Sequence, residues 1–141
     1  MEIRQAEEKH ITAICSFDHL AQIVERRRFI QNSVRSGTAS VAVLDGQVVG
    51  YAVLEYSFFA QGFMAMLYIH PEHRRKGIGS EIVRYVESIC KTEKLFTSTN
   101  ESNLLMQALM AKLRYIPSGI INNLDEGDPE LVYFKRLDKS R

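Results

Sequence analysis

Residues 74–79 read Arg-Arg-Lys-Gly-Ile-Gly: three basic side chains, then two glycines flanking one isoleucine. These are residue types that can hold a phosphate, because an α-helix opens with unpaired N–H groups and a positive dipole end. Glycine lets the backbone approach an anion closely, and successive N–H groups in such a turn form an anion-binding concavity. Gly77 and Gly79 give that freedom, the backbone N–H of Ile78 faces the anion, and Arg74, Arg75 and Lys76 add charge. The predicted ligand is a diphosphate. The third glycine and later ribose-binding acid of a dinucleotide site are missing, as is the Gly-Lys-Ser/Thr of a P-loop.

Other reactive side chains say less. His70, Glu72 and His73 could suggest a metal, but Pro71 intervenes and no helical i, i+4 pair results, so no metal is expected. Arg26, Arg27 and Arg28 fall in a helical stretch where neighbours turn by about 100° each, which spreads their charge around the axis. Cys15 and Cys90 lie at apolar, helical positions that suit reduced core thiols.

The elements that position the glycine loop follow from periodicity. A short strand opens the chain at "EIRQA", and helical spacing follows in Ile11, Ile14 and Cys15, then Ile23, Phe29, Ile30 and Val34, closed by Gly37. "SVAVLDGQVVGYAVLEY" is two β-branched runs around Asp45-Gly46, the signal of a hairpin. "FMAMLYI" predicts a central strand covered on both faces. After the loop, Ile78, Ile82, Val86 and Ile89 mark the buried stripe of a helix. "KLFTSTN" is a further strand, and Ser98 with Glu101 predicts a capping box for a helix from Ser102 to Leu113, apolar almost all round and expected between layers. Two last strands, Tyr115–Ile121 and Glu130–Leu137, flank a polar loop.

Composition bounds the partners. At 141 residues, 45% hydrophobic and 25% charged, the chain has the profile of one compact soluble domain spanning 1–141. Eighteen basic against 17 acidic side chains leave a net charge of +1, too little for a global field that holds nucleic acid or an anionic membrane. The charged amino terminus lacks a secretory leader, and the apolar run Phe63–Ile69 is too short to span a bilayer, so a cytoplasmic location is expected.

With these elements in order, the chain resembles the GNAT superfamily of N-acetyltransferases. Arg74, Gly77 and Gly79 match that family's Arg/Gln-x-x-Gly-x-Gly/Ala motif; "LYIHPEHR" is similar to its central strand and following loop, and "NLLMQALMAKLRY" to its asparagine-bearing segment. The resemblance implies an α/β, single-domain GNAT-like fold: a mixed, mostly antiparallel sheet of about six or seven strands flanked by about four helices. It implies acetyl-CoA as acetyl donor, with the pyrophosphate on the backbone of Arg75, Lys76, Gly77, Ile78, Gly79 and Ser80. The pantetheine arm is expected along the strand ending at Tyr68 and Ile69, with Asn103 touching the cofactor. A helix cap is the competing role for Asn103.

Two positions depart from the family pattern. Met110 stands where a tyrosine commonly serves as general acid, so it is placed at the cofactor without that role, and no glutamate lies near Ala65 on the central strand. Glu55, on the preceding strand, is the catalytic candidate for deprotonating the amine, ahead of Glu72 and His70. The expected function is acetyl transfer from acetyl-CoA to a primary amine of a small molecule or protein, by direct attack in a ternary complex, in a monomer or homodimer. The rival readings are an acyl-CoA-binding module with weak or no catalysis and, against the charge balance, a nucleic-acid binder.

Overall fold

A computed structural model describes residues 1–138. Among the described residues there are seven strands and four α-helices: β1 (Glu2–Gln5), α1 (Ile11–Phe17), α2 (Val24–Arg35), β2 (Ala39–Leu44), β3 (Gln47–Phe58), β4 (Gln61–Ile69), α3 (Ile78–Ile89), β5 (Lys94–Asn100), α4 (Leu104–Lys112), β6 (Ile116–Ile121) and β7 (Glu130–Arg136). The strands form one sheet in the order β1-β2-β3-β4-β5-β7-β6. It is mixed and mostly antiparallel, as the family resemblance implies: β4 and β5 run parallel, while β1–β2, β2–β3, β5–β7 and β6–β7 run antiparallel. Among the described residues no helix is long and apolar enough to cross a membrane.

The chain divides into two compact units. Met1–Leu54 and Met66–Val86 make the first; Glu55–Ala65 and the described residues from Glu87 onward make the second. In the first, Asp45 and Gly46 take φ of +50° and +78°, the two left-handed positions of a tight hairpin turn, and Leu44 pairs with Gln47 across it. Gly37, at φ +78°, follows the last turn of α2, and its N–H donates to the Val34 carbonyl at 3.1 Å. α3 buries Ile78, Ile82, Val83 and Val86. Gly50 of β3 lets that helix approach: a Cβ there would stand 2.9 Å from Ile82 Cδ1 and 3.1 Å from Ile69 Cδ1. The next residue, Tyr51, points to the opposite face of β3, where it meets Phe17 and Asp18.

β4 is central in the strand order but is not covered on both faces as its apolar run predicts. Met64 is buried, whereas Ala65–Ile69 are half-exposed. In the first unit, Met66 and Tyr68 meet polar side chains as well as rings: Arg26 donates to Met66 Sδ at 3.7 Å, and Tyr68 pairs with His19 while packing on Phe17 and Tyr51.

In the second unit, β4 pairs with β5 from Gly62↔Leu95 to Met64↔Thr97, and β5 pairs with β7 over its whole length. Cys90 is buried and packs where a Cβ at Gly62 would lie 2.4 Å from its sulfur, so its role is packing. Cys15 is half-buried, and burial pushes its thiol up, away from the reactive thiolate.

α4 departs most from expectation. It begins at Leu104 behind the N-cap Asn103, and the Ser98–Glu101 capping box does not form, because Ser98 lies inside β5 and donates to Glu130 Oε2 at 2.7 Å. Nor is the helix buried between layers: Leu104 and Leu105 are 72% and 60% exposed, and Met110 is its one buried residue. Leu, Met and Ala are strong helix formers whatever they face, so a helix built from them gives no pattern from which to read its inner side.

Candidate functional site

The segment from β4 into α3 carries the predicted phosphate loop within the first unit. β4 ends at Ile69; a short 3-10 turn over Pro71–His73 follows, held at its start by the Glu72 N–H donating to His70 Nδ1 at 3.1 Å. Arg74, Arg75, Lys76 and Gly77 are exposed, and α3 opens at Ile78. Ile78 is 4% exposed and anchors the first turn of the helix in the core, which fixes the loop's far end. Ser80 is also buried, and Gly79 between them is half-buried.

The loop contains two residues with left-handed backbone, as several turns of this chain do. Gly77 takes φ +81°, and a Cβ there would meet nothing within 4 Å, so glycine is required for its dihedral and not for space. Arg75 takes φ +65°, in the left-handed region that non-glycine residues rarely enter. Strain of this kind costs of order 1–3 kcal/mol and concentrates at ligand-binding turns. The sequence gives no sign of it at Arg75.

The basic side chains do not act alike. Arg74 folds back on the strand: its Nε donates to the Ile69 carbonyl at 3.1 Å and its guanidinium lies 5.4 Å from the centre of the Tyr68 ring. Arg74 therefore braces the loop against β4, and Arg75 and Lys76 remain as its exposed charges.

The other candidates lie in the second unit. Glu55 is half-buried near the end of β3, and among the described residues its carboxylate has no hydrogen-bond or ion-pair partner. Asn103 is engaged as a cap, its Oδ1 accepting from the Met106 N–H at 3.1 Å. Met110 is wholly buried. Tyr115, the nearby aromatic, donates its hydroxyl to Glu87 Oε2 at 2.8 Å, and Lys135 pairs with the same carboxylate at 3.1 Å. Burial first, then the Glu87 carboxylate, hold the Tyr115 hydroxyl far above the usual tyrosine range, which makes it structural and a poor proton donor.

One cluster in the first unit escapes sequence reasoning. Asp18, 1% exposed, accepts from the Tyr51 hydroxyl at 2.6 Å, from Arg26 at 2.7 Å and from the Leu20 N–H at 3.0 Å. Burial first, then Asp18, hold the Tyr51 hydroxyl protonated. Beside it, His19 Nδ1 and the Tyr68 hydroxyl are hydrogen-bonded, and the Phe17, Tyr51 and Tyr68 rings pack together. Only the capping of Leu20 by Asp18 was available as a local signal; the partners eight and 33 residues away were not. Among the described residues, no group of three or more His, Cys, Asp and Glu side chains is placed to hold a metal ion.

Known proteins resemble the chain over most of its length. The family model described as Acetyltransferase (GNAT) family matches residues 4–115. Among solved structures, an acetyltransferase of the GNAT family from Bacillus cereus ATCC 10987 is 32% identical, with 96% of each chain covered and a TM-score of 0.89. An N-acetyltransferase from Staphylococcus aureus Mu50 is 18% identical over 96% of this chain and 97% of its own, with a TM-score of 0.78. yncA from Salmonella typhimurium, whose structure holds its cofactor acetyl-CoA, is 19% identical over 99% of this chain and 95% of its own, with a TM-score of 0.78. No curated protein matches the chain significantly.

Proposed function

The chain belongs to the GNAT family of acetyltransferases, and from that membership we propose that residues 1–141 act as one N-acetyltransferase domain, moving the acetyl group of acetyl-CoA to a primary amine of a small molecule or protein. The observation that carries the reading is the strand–loop–helix segment Tyr68–Ser80. Its exposed loop holds two left-handed residues, Arg75 and Gly77, directly before a helix whose first residue is locked in the core. Such a loop offers backbone N–H groups and two exposed cations to a diphosphate. The cofactor held by yncA, which shares the fold, supports acetyl-CoA as that diphosphate.

The chemistry then divides simply. The neutral amine attacks the thioester carbonyl carbon, the N–C bond forms, the C–S bond breaks, and CoA leaves as a thiolate. The amine's proton passes to a base, for which Glu55, with no competing partner among the described residues, is the carboxylate proposed. A thiol has a reference pKa of about 8.5, so its anion departs near neutral pH with little help. That fits a chain in which Met110 is buried and the Tyr115 hydroxyl is committed to Glu87. Holding both reactants together supplies most of the acceleration.

Initial rates measured over a grid of acetyl-CoA and acceptor concentrations test this sequence. Direct attack in a ternary complex gives intersecting double-reciprocal lines; parallel lines would establish an acetyl-enzyme and overturn it. In the same assay Glu55→Gln should lower kcat by about 10² to 10⁴-fold, the usual contribution of a positioned base. An unaltered kcat removes Glu55 from the reaction.

A further inference from the structure

We propose that a cavity beneath the β2–β3 turn binds a small organic anion, a carboxylate or phosphate ester, through Lys9, His10, Gln47 and His70, with the ligand's apolar body against Phe17 and Val48. The cavity measures about 480 Å³ and all its lining residues lie in the first unit. That volume is within the range of small-molecule sites, roughly 300–1,000 Å³.

The tautomers of the two histidines set the chemistry. The Glu7 N–H donates to His10 Nδ1 at 2.9 Å, and the Glu72 N–H donates to His70 Nδ1 at 3.1 Å. A ring nitrogen that accepts a hydrogen bond carries no proton, so each neutral imidazole bears its proton on Nε2. Among the described residues neither Nε2–H has a protein acceptor, so both are donors available to a ligand. His10 is 7% exposed, and burial first, then Arg4 and Lys9, hold it below the usual histidine value, which favours the neutral ring.

The rest of the lining has matching polarity. Lys9 is exposed and has no ion-pair partner among the described residues, and Gln47 adds an amide at the hairpin. No carboxylate lines the cavity. Of the acids nearest in sequence, Glu7 pairs with Arg4 at 3.2 Å and Glu8 with Arg35 at 2.9 Å, while Asp45 at the hairpin turn and Glu72 beside His70 are exposed. Phe17, its ring 5.1 Å from that of His70, supplies an apolar wall beside the donors. An anion with an aromatic or aliphatic body satisfies both halves, whereas a cation would face the Lys9 charge with no carboxylate to offset it. None of Arg74–Ser80 lines the cavity, and His70, at the start of the same segment, is the one residue the two share.

Histidine ring signals followed by NMR during titration with benzoate test the site on the intact protein. The His10 and His70 signals should move together with one dissociation constant, and benzyl alcohol, the uncharged counterpart, should leave them unmoved at the same concentrations. Lys9→Gln, at an exposed position that does not endanger folding, should weaken benzoate about tenfold, the size of one charge-assisted hydrogen bond. Gly79→Val should leave benzoate affinity unchanged. Unmoved histidine signals, an equal response to benzyl alcohol, unchanged affinity in Lys9→Gln, or lost affinity in Gly79→Val would each overturn the proposal.

Discussion

Gly79→Val should abolish the rise in melting temperature that acetyl-CoA gives the wild-type protein. A ligand that binds only the folded state at a hundred times its dissociation constant adds about 2.7 kcal/mol. For a chain of this size that is a rise of roughly 5–10 °C. Gly79 lies in the first turn of α3, between the buried Ile78 and Ser80. A branched side chain there keeps the diphosphate from the backbone N–H groups while leaving a residue that helices tolerate. Arg75→Gly is the contrasting variant. Glycine suits φ +65°, so the loop keeps its shape and loses one charge, and the acetyl-CoA shift should shrink without vanishing. A full shift in a folded Gly79→Val protein would contradict the phosphate-loop reading.

The second large effect concerns stability. Asp18→Ala should cost about 3–5 kcal/mol, because it leaves Arg26 and the Tyr51 hydroxyl without the acceptor that repays their burial. The melting temperature should fall by roughly 10 °C or more. Tyr51→Phe removes one hydrogen bond and keeps the ring packing, so its cost should be about 1 kcal/mol. The exposed Arg35–Glu8 pair serves as reference, since exposed ion pairs contribute little. Thermal unfolding of Asp18→Ala, Tyr51→Phe and Arg35→Ala checks this order. An Asp18→Ala protein as stable as Arg35→Ala would show that the buried cluster does not support the fold.

These two predictions rest on features of unequal legibility. The loop was readable because its signal is local: two glycines at fixed spacing, a basic run, and an apolar stripe beginning at Ile78. The β2–β3 hairpin was readable for the same reason, Asp45-Gly46 being a turn that few other dipeptides make. α4 was misjudged because its leucines and methionines announce a helix without announcing an inner face. The Asp18–Arg26–Tyr51 cluster was out of reach because its partners come from α2 and β3, and nothing short-range marks a carboxylate that will be buried. Asn103 shows the opposite case, where a cap was an open alternative from sequence and the structure displays the cap.

The measurement that bears most directly on the proposed activity is thiol release from acetyl-CoA across a panel of primary amines, with the mass of each acceptor followed in parallel. The predicted result is CoA release that depends on an amine and matches, mole for mole, the acetyl amide formed. Tight acetyl-CoA binding with no amine-dependent release across small-molecule, polyamine and peptide acceptors would contradict it and leave an acyl-CoA-binding module in its place.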